Sequence, residues 1–343
     1  MSDVILSIKD LSKSFYSHWT FRPLRAVENV SLDILRGESF GFLGHNGAGK
    51  TTTIKCIVGL IRKTKGSIAF DGKEIGGADW REKIGYLPEQ PYFYDHLTVG
   101  ETLTFFSQLH GFDRAYAKKV VDDVLALVKL ENRRNSPVRA LSKGLQQRLG
   151  FAQAILNKPR LLILDEPFSG LDPIGRLEIR NLILGLKKQG TTIFMSSHIL
   201  SDVEDVCDRV SIMSNGELKK VFSLREIPDL FGRAYELKIR LSLKERNMPS
   251  ILSEIGKVED IEETSTDRIL TYRFPTYEVA RAALDALNSK QVTIESFNSR
   301  GLNLEEIFMK ITEASRSNSS EDPLAHTNNF SEKQKQNEQM VTL

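Results

Sequence analysis

The 343-residue chain has only two cysteines, Cys56 and Cys207, and neither has partners at metal-ligand spacing. That excludes a disulfide scaffold and a thiolate metal site, and it suits a reducing compartment. Charge of a dominant sign is lacking too. Lysine and arginine number 47 against 45 aspartates and glutamates, for a net charge of +2. The basic residues are spread along the chain, so no nucleic-acid partner is expected. No apolar run approaches the roughly 18 residues that span a bilayer. If the protein acts at a membrane, another polypeptide must provide the passage. The start, "MSDVILSIKD", has an early acidic residue and no basic stretch, so it is not read as a signal peptide. There is no internal repeat.

What is present is alternation. From Val4 to about Met213, short apolar runs alternate with helical patterns. "VILSIKDL", "ENVSLDIL", "SFGFLG" and "TTIFMSSH" read as strands. "LLILDEP" reads as a strand buried on both faces of a parallel sheet. "TTTIKCIVGLI" places Ile54, Ile57, Val58 and Ile61 on one helical face. "RVSIMSNGELKKV" reads as a hairpin around Asn215-Gly216, because Asn-Gly accepts the positive φ of a tight turn. This is a layered α/β domain. From about Tyr235 the pattern becomes a small α+β domain, with strands at "YELKIRLSL", "RILTYRF" and "VTIESF" and helices at "TYEVARAALDALNSK" and "LNLEEIFMKIT". From about Ser315 the polar composition cannot bury enough surface to offset chain entropy, which predicts a disordered tail.

Between the "SFGFLG" strand and the following helix runs "GHNGAGKTT", that is Gly44, His45, Asn46, Gly47, Ala48, Gly49, Lys50, Thr51 and Thr52. It fits the phosphate-loop pattern with a strand before and a helix after. Glycines let backbone N–H groups curl around a polyphosphate, and the helix N-terminus faces the same anion. Lys50 neutralises the β- and γ-phosphates in this reading, and Thr51 holds Mg²⁺ through its hydroxyl. In "LLILDEP", Asp165 ends a buried strand where it can reach the metal shell. Glu166 follows at once and can polarise a water for in-line attack.

"LSKGLQQRLGFAQAI" is by itself a helix capped by Ser142, with Leu145, Leu149, Ala152 and Leu156 forming a core stripe. Together with the loop and the carboxylates it resembles the signature of the ATP-binding cassette (ABC) family, usually Leu-Ser-Gly-Gly-Gln. Lys143 stands at the first glycine, a change that is benign if its side chain points to solvent. Leu145 intervenes, so Gln146 falls one place late. "SGLD", ending at Asp172, resembles the loop that links two cassettes. "SSH" places His198 like the family's switch histidine at the γ-phosphate. "LSKSFYS" places Phe15 where the family stacks a ring on adenine, although that ring could instead be core. "IGYLPEQPYFYDHLTV" places Glu89 where the family has a glutamine near the metal, and exporter-like members often read "YLPE".

The resemblance, over about residues 4–225, implies a P-loop ABC nucleotide-binding domain over residues 1–230. It comprises a RecA-like α/β core and a helical subdomain at about 90–160. An α+β accessory domain over 231–314 and a tail over 315–343 follow. It implies a Mg²⁺- and ATP-dependent ATPase in which Ser142 and Gly144, with Gln146, complete another cassette's site. A second copy is then needed, as a homodimer. Separate transmembrane permease subunits follow as partners, which places the protein peripherally on the cytoplasmic face of the plasma (inner) membrane, powering export. The aromatics after Glu89 read equally as a docking surface for the permease or as core of the helical subdomain. The alternative is a soluble ABC ATPase acting on ribosomes or DNA. Against it stand the single cassette and a gap of only about ninety residues between loop and signature, with no long heptad run. A cassette that binds ATP without hydrolysing it is opposed by intact Lys50, Asp165, Glu166 and His198.

Overall fold

The computed structural model describes residues 3–16, 23–76, 80–227, 230, 233–242, 258–263, 266–289, 292–301 and 304–317. Its chain divides into two compact units, Met1–Leu304 and Glu305–Leu343. In the first, the central sheet contains β3 (Ser39–Leu43), β6 (Ile84–Leu87), β7 (Leu161–Asp165), β8 (Thr192–Ser197), β9 (Arg209–Ser214) and β10 (Glu217–Ser223). The strand order is β10-β9-β3-β8-β7-β6. All neighbours are parallel except β10, which pairs antiparallel with β9. Every residue of β3, β7 and β8 is buried. That is why they read as unbroken apolar runs: a parallel strand covered on both faces has no solvent side. The hairpin between β9 and β10 turns at Asn215 (φ 52°) and Gly216 (φ 82°), as the Asn-Gly pair predicts.

A second sheet is antiparallel, ordered β2-β1-β4-β5, from β1 (Val4–Tyr16), β2 (Pro23–Leu35), β4 (Lys65–Phe70) and β5 (Lys73–Glu74). Val30, Leu32 and Ile34 of β2 alternate inward with exposed neighbours. They join one core with Phe40 and Phe42 of β3 and with Ile54 and Ile57 of α1 (Lys50–Ile57). Thus α1 and the loop before it rest on a core shared by both sheets.

Between β6 and β7 lies a helical insertion of α2 (Val99–Leu109), α3 (Arg114–Leu127) and α4 (Lys143–Ile155). Each start is capped. Thr98 and Glu101 form a capping box on α2, Asp113 accepts from Ala115 and Tyr116 N–H groups, and Ser142 accepts from Leu145 N–H. Leu149, Ala152 and Leu156 are buried as the stripe requires, and Leu145 is half-buried. Next come α5 (Pro173–Lys188), ahead of β8, and the short α6 (Leu200–Glu204), after it.

The third sheet, ordered β12-β13-β11-β14, is antiparallel: β11 (Arg233–Ser242), β12 (Val258–Glu263), β13 (Asp267–Phe274) and β14 (Thr293–Gly301). Leu237, Ile239, Leu270 and Tyr272 pack on Ala280, Ala283 and Leu287 of α7 (Tyr277–Ser289). Charged pairs such as Arg240–Glu295 (2.9 Å) and Lys238–Glu262 (3.7 Å) cross between strands on its polar side. The final helix, α8 (Leu304–Ser317), runs two residues past Ser315. The expected polar tail beyond it lies outside the described residues.

Both cysteines are free and buried, and burial pushes the Cys207 thiol up to about 12. Among the described residues, no helix is long and apolar enough to cross a membrane.

Candidate functional site

The loop after β3 is shaped by backbone crowding. A Cβ at Gly44 would stand 2.5 Å from the Met213 carbonyl oxygen. One at Gly49, where φ is 105°, would stand 2.5 Å from the Ala26 carbonyl oxygen. Only glycine fits either place. α1 begins at Lys50, so its unpaired N–H groups face the loop's interior. The Lys50 ammonium turns back and donates to the Gly44 carbonyl at 2.7 Å.

Two carboxylates converge on this loop from the end of β7. Asp165 is 1% exposed. Its Oδ1 accepts from Ser196 Oγ at 2.7 Å and from Thr51 Oγ at 3.2 Å. Burial raises the Asp165 carboxyl above its ordinary range, against the pull of those two hydroxyls. Glu166 takes a left-handed backbone, φ 51°, uncommon outside glycine and typical of functional sites. Its N–H donates to Ser196 Oγ at 3.0 Å. Its Oε1 lies 3.2 Å from Lys50 Nζ, and the two side chains are 9% and 6% exposed. Its Oε2 lies 2.7 Å from His198 Nδ1 and accepts the His198 backbone N–H at 3.3 Å. Lys50 and His198 are therefore both held by one carboxylate.

These groups wall a cavity of about 600 Å³, lined by residues 45–52, Ala26, Glu89, Glu166, Ser169 and His198. The loop, Glu89, Glu166 and His198, all singled out in the sequence, thus line one cavity, and Asp165 reaches it through Thr51. Sequence reasoning did not single out Ser196, which bridges Asp165 and the Glu166 backbone, although the "SSH" stretch quoted for His198 contains it. It also passed over Gln147, whose Nε2 donates to Pro167 O at 3.2 Å and so ties α4 to the residue after Glu166.

The other candidates stand apart from the cavity wall. Ser142 caps α4, and Gln146 Nε2 lies 3.5 Å from Leu141 O. Asp172 caps α5 by accepting from Gly175 N–H at 2.8 Å. Phe15, near the end of β1, is 41% exposed, with the Lys13 ammonium 4.8 Å from its ring centroid.

No group of three or more histidine, cysteine, aspartate or glutamate side chains able to hold a metal occurs among the described residues. The pair that does occur, a buried carboxylate beside the Thr51 hydroxyl, suits Mg²⁺. That ion takes hard oxygen donors, one or two carboxylates, and completes its shell with phosphates and water. A buried carboxyl with a raised pKa binds more protons folded than unfolded, so its ionisation works against folding as pH rises. Asp165→Asn keeps both hydroxyl bonds and removes that charge. It should raise the nucleotide-free melting temperature at pH 8 by about 2 °C and cancel any further rise on adding ATP with Mg²⁺. Differential scanning fluorimetry checks both arms.

A strand–loop–helix phosphate cradle, a buried aspartate and an adjoining glutamate on a parallel sheet define a P-loop nucleotide hydrolase. The ABC transporter family model matches residues 27–169. Over 294 residues the chain is 36% identical to an ABC transporter ATP-binding protein of Synechocystis, covering 85% of this chain and 80% of that one. Over 254 residues it is 39% identical to the bacitracin transport ATP-binding protein BcrA of Bacillus licheniformis, covering 73% and 78%. A solved ATP-binding subunit of an ABC transporter superposes with a TM-score of 0.60 at 34% identity, covering 66% of this chain and 93% of that one. The chain belongs to the ABC transporter family of ATP-binding proteins. It is an ABC ATPase subunit, binding and hydrolysing ATP to power transport through permease partners.

Proposed function

We propose that two copies of this chain enclose two ATP molecules, each held by the loop of one protomer and the signature turn of the other. The observation that carries this is the division of the site. Residues 45–52, Glu166 and His198 line the cavity, whereas Ser142 and Asp172 lie at the starts of α4 and α5, off its wall. Ser142 Oγ and the N–H groups at the start of α4, Gly144 among them, would add positive dipole to a γ-phosphate from across an interface. Lys50 would leave Glu166 for the phosphates. Glu166, still held by His198, would then take the proton of an attacking water. Thr51 and Asp165 would hold Mg²⁺, which supplies charge neutralisation at the phosphates, with Glu89 at the cavity edge. Loss of the terminal phosphate would release the pair.

The residues after Glu89 sort themselves by burial. Phe93 is 7% exposed and meets Phe106 edge-on, so it is core. Tyr92 and Tyr94 are 94% and 57% exposed. Exposed aromatics beside Glu89, which lines the cavity, suit a docking surface for a permease segment. The "YLPE" stretch and the likeness to BcrA favour export, on the cytoplasmic face of the plasma (inner) membrane. We place the ATPase domain at residues 1–230 and an accessory domain at 231–314.

Affinity purification of the tagged chain from detergent-solubilised membranes tests the partner. A polypeptide with several membrane spans should be retained, and Tyr92→Ser/Tyr94→Ser should lose it while the soluble chain still hydrolyses ATP. Recovery from the soluble fraction alone, with no such polypeptide in the membrane fraction, contradicts the reading.

A further inference from the structure

Lys143 is the position at which this chain departs from the family's signature glycine, and its surroundings give the departure a purpose. It is the first residue of α4, a helix with no acidic residue in its first turn. A cation there opposes the helix dipole, so its charge does not serve the helix. Among the described residues its ammonium has no hydrogen-bond or ionic partner. Instead the side chain is laid across Gly170. A Cβ at Gly170 would stand 2.2 Å from Lys143 Nζ, 2.7 Å from Cε and 3.0 Å from Cδ. Gly170 has φ 69°, so the loop offers a bare backbone surface where the lysine stem lies. The next residues continue the seam. A Cβ at Gly144 would stand 3.5 Å from Leu171 Cδ2, and one at Gly175 3.5 Å from Leu171 Cβ. Asp172 closes the seam by capping Gly175.

We propose that Lys143 is a positioning residue, whose aliphatic stem clamps the loop Gly170–Asp172 onto the signature turn so that both present to the partner cassette as one rigid piece. This rests on the paired-cassette reading above. The stem acts by packing. Without it the turn and the loop move separately, and fewer protomers hold the arrangement competent to pair. Apparent ATP affinity falls in proportion to that fraction, while the chemistry, once the pair has closed, is little changed.

The test is ATP hydrolysis by the full chain across a range of Mg²⁺-ATP concentrations. Lys143→Gly should raise KM about fivefold with kcat within about twofold. Lys143→Met keeps the stem without the charge and should restore KM to near its original value. An unchanged KM in Lys143→Gly, or Lys143→Met as impaired as Lys143→Gly, overturns the clamp. Light scattering of Glu166→Gln with ATP judges the underlying reading separately. If no dimer forms there, pairing itself fails. If a dimer forms while Lys143→Gly keeps its KM, only the clamp fails.

Discussion

Glu166→Gln is expected to lower steady-state phosphate release about a thousandfold, within the range for loss of a general base, while ATP binding is retained or strengthened. Two features of one side chain drive the opposite effects. The amide keeps the carboxylate's shape but cannot take a proton from water. It also gives up the ion pair with Lys50, which holds the ammonium 3.2 Å from Glu166 Oε1. A lysine freed from that pair is available to the phosphates without first breaking a buried contact. ATP therefore accumulates unhydrolysed, and the paired state accumulates with it. Phosphate-release kinetics and equilibrium ATP binding on the same preparation check both halves. Hydrolysis within about threefold of the parent would show that another group is the base.

Lys50→Ala has the converse signature, because it removes the cation and keeps the Glu166 carboxylate. Hydrogen bonds to charged groups contribute about 1.5–3 kcal/mol each, so ATP affinity should fall by about 10- to 100-fold. A second effect appears before any nucleotide is added. Glu166 is 7% exposed, and removing Lys50 takes away the cation 3.2 Å from its carboxylate. Stranding one member of a buried pair costs about 3 kcal/mol. The variant should melt at a lower temperature than the parent. Isothermal titration with ATP and thermal melts check this. Undiminished ATP affinity would contradict the role given to Lys50.

Much of this was legible because it depends on local chemistry. Gly44 and Gly49 announce a loop that no Cβ fits, and "LLILDEP" announces a strand with no solvent face. Asn215-Gly216 announces its turn. What escaped was set by pairing across long separations. β1, β2, β4 and β5 form a sheet of their own, yet alternation alone does not say which strands join. β12, "VEDIEE", carries four acidic residues and, among the described residues, pairs with β13 alone, so its propensity hides it. At the site, residue types announced the loop and both carboxylates. The hold of Glu166 on both Lys50 and His198 did not follow from motif order. Neither did the bridging of Ser196, the capping by Asp172 or the resting of Lys143 on Gly170. Each joins residues that the chain separates by 27 or more positions or reuses a residue noted for something else.

A structure of Glu166→Gln with ATP and Mg²⁺ tests the central claim most directly, namely that one protomer's loop and the other's signature turn share each nucleotide. The account predicts Ser142 Oγ and the Gly144 N–H within hydrogen-bond distance of a γ-phosphate whose other oxygens are cradled by residues 44–52 of the opposite copy. ATP enclosed by a single protomer, with Ser142 and Gly144 facing only solvent, would contradict it.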